Sequence, residues 1–241
     1  MRKIDVAFLP AETEKRDLAQ TTCVVLDIFR ATTSMVTALI NGCPLIRPVQ
    51  SVEEAWTVAR GIPAALLAGE RQSVRIEGFD LGNSPREFTR ERVDNRPVVM
   101  TTTNGTRAVR AVAGAGELLI GSFLNALAVC DTIQKTGRDL LILCAGTENQ
   151  FSLEDSLCAG LLVHRLWETD NSAVELTDAA QGARLLYLQA QGNLLQAAAT
   201  SKNGRRLYEL DLAADVEYCL RLDTVSIVPT FAADCIRLSA T

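Results

Sequence analysis

Short aliphatic runs recur along about two thirds of the chain, separated by stretches in which apolar residues follow helical spacing. Aliphatic runs bounded by turn residues predict buried strands, and the longer periodic stretches predict helices. Because the two kinds of segment alternate, the pattern predicts an α/β fold with a mainly parallel sheet covered by helices. The predicted strands are residues 4–9, 23–28, 45–49, 64–68, 97–101, 117–120, 140–144 and 225–228.

Capping residues mark several predicted helix starts. Ser51-Val-Glu-Glu54 is a capping box that precedes an apolar helical face. Ser84-Pro85-Arg-Glu87 combines a cap, a proline in the first helical position and a capping-box acid. Ser152-Leu-Glu-Asp155 opens a helix that continues through Trp167. These signals place the helices between the predicted strands, as an α/β fold requires.

The pattern changes after Thr169 and becomes mainly helical. Because no Pro- or Ser-rich linker separates this part, we interpret residues 1–241 as a single α/β domain in which residues 170–222 could form a helical subdomain. A last short strand is predicted to end at Pro229. The predicted helices are residues 178–190, 193–200 and 211–222, with a turn at residues 201–204.

Composition excludes several classes of protein. The 241 residues are 48% hydrophobic, which is enough for a packed core and argues against a disordered chain. With 24 Lys and Arg against 29 Asp and Glu, the net charge is −5, and no basic run suggests binding to nucleic acid. The single histidine, His164, excludes any site that needs two imidazoles, and its helical spacing favours a partly buried structural role.

Apolar segments and cysteines indicate the compartment. The N-terminal apolar run is too short for a signal peptide, and no run is long enough to span a membrane. The seven cysteines are scattered among aliphatic neighbours, which predicts buried free thiols in a reducing environment. We therefore expect a cytoplasmic protein that binds neither membrane nor nucleic acid.

Polar residues follow directly after several predicted strands. In open α/β sheets ligands bind beyond the carboxyl ends of the strands, so these loops are where chemistry is expected. Asp27 and Arg30 lie at the end of one such strand. Thr32 or Thr33 can cap the helix that follows over residues 34–41.

The loop from Thr101 to Arg107 is a candidate anion site. Its Thr103-Asn-Gly-Thr106 segment leads into a helix, where exposed backbone N–H groups and the helix dipole favour an anion. Arg30 and Arg107 could add charge-assisted contacts to a phosphate or sulfonate. The alternative is that these residues only form a turn and cap the helix.

Five acidic residues fall at the same predicted strand ends. Carboxylates beside an anion site suggest Mg²⁺, which prefers oxygen ligands and bridges to phosphate. Structural roles are the alternative for some of them. Glu154 and Asp155 suit the first turn of a helix, and Asp27 could form an ion pair with Arg30. The five are Asp27, Glu70, Glu148, Glu154 and Asp155.

Common nucleotide and phosphatase motifs are missing. The chain contains neither a Walker A sequence nor a G-x-G-x-x-G fingerprint. Cys144 ends a predicted strand, but Gln150 stands where a C-x5-R phosphatase loop needs arginine. Asp27 is not followed by a second acid two residues later, which argues against a haloacid-dehalogenase-type phosphatase.

Six motifs together resemble the 2-phosphosulfolactate phosphatase family over residues 24–229. They are Val25-Leu-Asp27-Ile-Phe-Arg30-Ala-Thr-Thr33, Gly82-Asn-Ser-Pro85, Thr101-Thr-Thr-Asn-Gly-Thr106, Gly121-Ser122, Cys144-Ala-Gly146 and Glu154-Asp-Ser-Leu-Cys158-Ala-Gly160. The resemblance implies a three-layer α/β/α fold and Mg²⁺-dependent hydrolysis of 2-phospho-3-sulfolactate to 3-sulfolactate and phosphate, a step that belongs to coenzyme M synthesis in methanogens.

The resemblance and the loop chemistry together suggest roles for individual residues. Asp27 and Arg30 are the expected catalytic residues, and Arg86 is a candidate for the substrate's remaining acidic groups. The expected binding partner is a small anionic phosphoester substrate, and the chain could form a homodimer. One departure is Asn203, where the family is expected often to have histidine. The expected phosphate- and substrate-binding residues are Thr32, Thr33, Asn83, Ser84, Thr103, Asn104, Gly105, Thr106, Arg107 and Ser122.

Three functional alternatives follow. The first is the phosphosulfolactate phosphatase, with a metal-bound water as nucleophile or with Asp27 forming an acyl-phosphate. The second keeps the site but acts on another phosphorylated hydroxy acid. The third is a non-catalytic anion-binding protein in which the carboxylates form caps and ion pairs.

Overall fold

The computed structural model describes residues 2–169 and 171–238. Within these residues eleven strands form one mixed sheet in the order β5-β4-β6-β3-β11-β10-β7-β2-β8-β1-β9. The strands are β1 (Arg2–Ala7), β2 (Thr21–Leu26), β3 (Ile46–Pro48), β4 (Leu66–Arg71), β5 (Val74–Arg75), β6 (Val98–Thr101), β7 (Glu117–Gly121), β8 (Asp139–Cys144), β9 (Val174–Leu176), β10 (Pro229–Ala232) and β11 (Cys235–Leu238).

The centre of the sheet is parallel. Strand β2 lies between β7 and β8, with Val24 opposite both Leu119 and Ile142. The nearly continuous aliphatic sequence of these strands fits a sheet that is buried on both faces. Antiparallel pairs occur at β4–β5 and around β10 and β11, so the sheet is mixed.

Seven of the eight predicted strands are confirmed, with ends shifted by a few residues. The strand predicted at 225–228 is wrong, because the backbone there bonds to the 3-10 turn at Phe123–Asn125 instead of to a strand. Val225 N donates to the carbonyl of Leu124, and Asn125 Nδ2 donates to the carbonyl of Ile227. The last two strands begin only at Pro229, where the prediction had the chain's final strand ending.

Ten α-helices occur in the described part of the chain, with 3-10 turns at Pro10–Thr13, Pro85–Glu87, Phe123–Asn125 and Gln191–Asn193. The helices are α1 (Ala31–Ile40), α2 (Val52–Arg60), α3 (Arg90–Val93), α4 (Gly105–Ala111), α5 (Ala126–Thr136), α6 (Leu153–Thr169), α7 (Asp178–Ala190), α8 (Leu194–Ala199), α9 (Lys202–Glu209) and α10 (Ala213–Cys219).

Capping explains where two helices begin. Ser51 Oγ accepts a hydrogen bond from Glu54 N, and Glu54 accepts one from Gln50 N, so the predicted capping box before α2 is confirmed. The turn predicted at residues 201–204 is wrong. Ser201 Oγ instead accepts a hydrogen bond from Gly204 N and starts α9, which the prediction missed.

Helix α1 begins three residues earlier than predicted. Thr32 and Thr33 therefore lie inside its first turn and do not cap it. Their hydroxyls donate to the carbonyls of Asp27 and Ile28, at 3.1 Å each. The two threonines are fully buried and fix the junction between β2 and α1.

Apolar side chains cover both faces of the sheet. Along β2, Val24 and Leu26 belong to one buried cluster, and Cys23 and Val25 belong to another on the opposite face. The first cluster includes side chains of α5 to α10, and the second includes side chains of α1 and α4. This arrangement is the predicted three-layer α/β/α fold, and it leaves the carboxyl ends of the central strands open to one edge.

Three minor features agree with the sequence. All seven cysteines fall within the described residues and are buried free thiols. His164 lies half-buried on α6, 5.7 Å from the ring of Tyr187 and away from the strand ends. None of the helices in residues 2–169 and 171–238 has the length and apolar content of a membrane span.

Candidate active site

A cavity of about 850 Å³ lies at the carboxyl ends of β2, β4, β6 and β8. The loops after these strands supply most of its wall, and α9 supplies the rest. Parallel strands end at the same edge of a sheet, so residues distant in sequence meet there. The lining residues are Asp27, Phe29, Arg30, Glu70, Arg71, Gln72, Ser73, Asn83, Thr103, Asn104, Thr147, Glu148, Lys202, Asn203, Arg205, Arg206 and Glu209.

Asp27 is the buried acid at the base of the cavity. Its backbone N–H donates to Thr32 Oγ1 at 3.0 Å, and its Oδ1 accepts the N–H of Ala31 at 3.2 Å. Burial raises the pKa of Asp27 to about 7, and the negative charges of Glu70 and Glu154 add to the rise, while the positive charge of Arg30 opposes it. A carboxyl with this pKa and these neighbours favours either a proton or a bound cation.

Gly105 allows the anion-site loop to approach Asp27. A Cβ at this position would lie 2.7 Å from Asp27 Oδ2 and would also clash with Ala31. Gly105 was predicted to bind phosphate. The structure shows that a glycine is required here because α4 packs closely against the β2–α1 junction.

Glu70 organises two loops at the cavity wall. Its Oε2 accepts the N–H of Ser73 and its Oε1 accepts the N–H of Thr103, both at 2.8 Å. Nearby, Asn104 Oδ1 accepts the N–H of Glu148 at 3.3 Å. The Thr103 amide that the sequence offered to an anion is therefore already bonded to a carboxylate.

Glu154 and Asp155 do not line the cavity, although both are buried close behind it on α6. Asp155 accepts the N–H groups of Ile28, at 2.8 Å, and Gly146, at 3.2 Å, and so holds the ends of β2 and β8 together. Burial raises the pKa of both carboxyls, and for Asp155 the charges of Glu154 and Asp27 add to the effect. Hydrogen bonds from side chains, including that of Asn203, oppose the rise at Glu154.

Arg30 does not form its ion pair with Asp27. Its Nη1 donates to Asp215 Oδ2 at 2.6 Å, and its Nη2 donates to the carbonyl of Ser73 at 2.8 Å. Asp215 is fully buried on α10 and also accepts the hydroxyl of Ser84 at 2.7 Å. Ser84, predicted to bind substrate, therefore lies behind the cavity wall, where it contacts this ion pair.

Several other predicted substrate residues lie outside the cavity wall. Thr106 is buried, and its hydroxyl donates to the carbonyl of Thr102. Ser122 is bonded to Asn125 in a capping box. Arg107 and Arg86 are exposed and do not line the cavity. Thr32 and Thr33 fix the backbone, as described above.

Sequence reasoning missed the basic residues of the cavity. Lys202, Arg205 and Arg206 lie on one side of α9, at helical spacing that would have indicated a basic face had the segment been identified as a helix. Arg71 ends β4, donating to Thr101 Oγ1 at 3.1 Å. Asn203, noted only as a departure, lies in the wall and donates to the carbonyl of Phe29 at 2.5 Å.

Two polar atoms in the cavity wall have no hydrogen-bond partner within the described residues. They are Asn83 Oδ1 and Thr103 Oγ1, and both are buried. Buried polar groups are almost always satisfied in folded proteins, so these two indicate a place for a ligand or for water.

Asp27 and Glu70 are the buried acidic residues of the cavity wall that would be available to a magnesium ion held only partly by protein. No group of three or more His, Cys, Asp or Glu side chains in the described part of the chain is arranged as a complete metal site. Mg²⁺ usually keeps several waters and takes one or two carboxylates together with substrate phosphate. Asp27 and Glu70 would supply such a pair in the cavity. A cation would offset the burial that chiefly raises the pKa of Asp27 and the smaller effect of the negative charges beside it.

The sequence of the chain is similar to those of known proteins. The sequence model of the 2-phosphosulpholactate phosphatase family matches residues 7–234. A probable 2-phosphosulfolactate phosphatase of Symbiobacterium thermophilum is 44% identical over 224 residues, which are 92% of this chain and 94% of that protein. The chain belongs to the 2-phosphosulfolactate phosphatase family.

Other members of the family align over nearly their whole length. The protein of Caldanaerobacter subterraneus subsp. tengcongensis is 41% identical over 226 residues, 93% of each chain. That of Clostridium acetobutylicum is 38% identical over 230 residues, 95% of this chain and 97% of its own. Both carry the name probable 2-phosphosulfolactate phosphatase. The family resemblance noted in the six sequence motifs is confirmed.

Proposed function

We propose that the protein is a Mg²⁺-dependent phosphatase that hydrolyses 2-phospho-3-sulfolactate to 3-sulfolactate and phosphate. The observation that carries the proposal is the cavity itself, in which buried Asp27 and Glu70 share one space with the cations of Arg30, Arg71 and the α9 helix. Membership of the family supports the choice of substrate.

The charges of the cavity match a substrate with three acidic groups. A phosphoester that also carries a carboxylate and a sulfonate needs several cationic partners, and guanidinium groups suit such oxyanions. Arg30 and Asn104 are the proposed phosphate-binding residues. Arg71, Arg205 and Arg206 are the proposed partners of the other two groups, in place of Arg86.

Asp27 and Glu70 would hold the magnesium ion, which supplies neutralisation of charge on the transferring phosphoryl group. Arg30 adds a second positive charge and orients the phosphate against Asp27. We favour a water molecule as the nucleophile. In the alternative, Asp27 takes the phosphoryl group and 3-sulfolactate leaves, and water then hydrolyses the aspartyl phosphate to phosphate and free Asp27. Trapping of that aspartyl phosphate by borohydride reduction during turnover would identify the second route.

The direct test is release of phosphate from 2-phospho-3-sulfolactate by the purified protein, with Mg²⁺ and with EDTA. A comparison substrate, 2-phospholactate, lacks the sulfonate and measures its contribution to kcat/KM. We expect Mg²⁺-dependent turnover and a higher kcat/KM for 2-phospho-3-sulfolactate than for 2-phospholactate. A higher value for another phosphorylated hydroxy acid would identify a different substrate. Thermal protection by phosphate without any turnover would contradict the assignment as an enzyme.

A further inference from the structure

Asp215 is a buried acid that the chemistry described so far does not use. It lies on α10, 185 positions after Arg30 in the sequence, and it is fully inaccessible to solvent. Its neighbours on the helix, Val216 and Cys219, are buried apolar residues. A carboxylate in such surroundings is strongly disfavoured unless charged or polar partners surround it.

The partners of Asp215 all belong to the cavity wall or its support. Oδ2 accepts Nη1 of Arg30 at 2.6 Å, and Oδ1 accepts the hydroxyl of Ser84 at 2.7 Å. The side chains of Arg30 and Asp215 are 4% and 1% exposed, so this ion pair is shielded from water. Both carboxylate oxygens of Asp215 are thus used, one on the arginine and one on the loop beside it.

These contacts fix the plane of the Arg30 guanidinium. Its two terminal nitrogens are held on different elements, Nη1 by α10 and Nη2 by the carbonyl of Ser73. Ser73 lies in the two-residue turn between β4 and β5, where both Gln72 and Ser73 have positive φ. A guanidinium has five N–H groups in a rigid fork, so two fixed bonds leave donors that can face the cavity.

We propose that Asp215 is a positioning residue that holds Arg30 in the orientation in which it binds the substrate's phosphate. The inference rests on the proposed phosphatase function. Without the carboxylate, Arg30 would keep the carbonyl of Ser73 but lose its charged partner, so its guanidinium would no longer be held in one orientation towards the phosphate.

The first test compares Asp215→Asn with a matched control. The control is Asp223→Asn, which weakens another Arg–Asp pair, that of Arg165 and Asp223, outside the cavity wall. We expect Asp215→Asn to lower kcat by about 100-fold, the scale of a misplaced catalytic group, with KM changed much less. Asp223→Asn should keep the kcat of the unmodified protein. Unchanged kcat in Asp215→Asn would overturn the proposal.

The second test separates positioning from general structural support. If Asp215 acts through Arg30, the double variant Arg30→Ala/Asp215→Asn should be no slower than Arg30→Ala alone. Added guanidinium should restore activity to Arg30→Ala and fail to restore it in the double variant. If the two substitutions lowered kcat independently, their losses would multiply in the double variant. That result, or equal rescue of both variants by guanidinium, would show that Asp215 only supports the fold.

Two further measurements cover the remaining outcomes. If Asp215→Asn does not fold, Ser84→Ala serves as the test, because it removes one partner of Asp215 and keeps the ion pair. Ser84→Ala should lower kcat about fivefold. An unchanged kcat in this variant would overturn the proposal. If the unmodified protein does not hydrolyse phosphosulfolactate, the proposed substrate fails on its own. Binding of inorganic phosphate, measured by thermal shift, then tests the positioning, since Asp215→Asn should weaken it and Asp223→Asn should not.

Discussion

The burial of Asp27 makes a prediction that links stability to pH. Its pKa is about 7 in the folded protein, against 3.8 for an ordinary aspartate, chiefly because the group is buried. The folded state therefore holds this proton more tightly than the unfolded chain does. The free energy of unfolding should fall as the pH rises from about 4 to about 7, and the loss should persist above that range.

The magnitude follows from the two pKa values. A difference of about 3 pKa units corresponds to about 4 kcal/mol when Asp27 is fully ionised. Between pH 5 and pH 8 the unmodified protein should lose about 3 kcal/mol from this group. Asp27→Asn keeps an oxygen for the N–H of Ala31 but has no proton to lose, so it should escape this loss.

The assay is urea unfolding of both proteins at pH 5 and pH 8 in the presence of EDTA. Relative to the unmodified protein, Asp27→Asn should gain about 3 kcal/mol between the two pH values, equivalent to a shift in melting temperature on the order of 10 °C. The same variant should lose phosphatase activity by on the order of 10²- to 10³-fold. A stability difference that is independent of pH, or that has the opposite sign, would refute the account of Asp27.

Three further predictions concern packing, thiols and the basic helix. Gly105→Ala should lower both stability and activity, because its Cβ would clash with Asp27. Gly182→Ala, where a Cβ meets open space on α7, should stabilise the protein by up to about 1 kcal/mol. Equal melting temperatures of the two variants would contradict this. The seven buried thiols should react with Ellman's reagent only after unfolding, and rapid reaction of the native protein would show that a cysteine is exposed. Lys202→Ala breaks an exposed ion pair with Glu148, so the melting temperature should hardly change. KM should rise because Lys202 lines the cavity. An unchanged KM would show that Lys202 does not bind the substrate.

Much of the fold and part of the site follow from local sequence. The strands around β2 are aliphatic along their whole length because both faces are covered, and the segment 178–190 is a helix with the bounds that its pattern predicts. Asp27 follows β2 directly, Glu70 lies near the end of β4 and Asn104 lies in the loop after β6. Because parallel strands end at one edge, the meeting of these three residues in the cavity could be predicted.

What the sequence could not show depends on contacts between distant segments. Helix α9 buries only Gly204 and Leu207, so it has no apolar stripe from which its basic face could be recognised. The partner of Arg30 could not be identified either, since Asp215 is 185 positions away and Asp27 is only three. Local patterns report which residues are buried or start a helix, whereas the pairing of buried charges is decided by which segments the packed layers bring within hydrogen-bond distance.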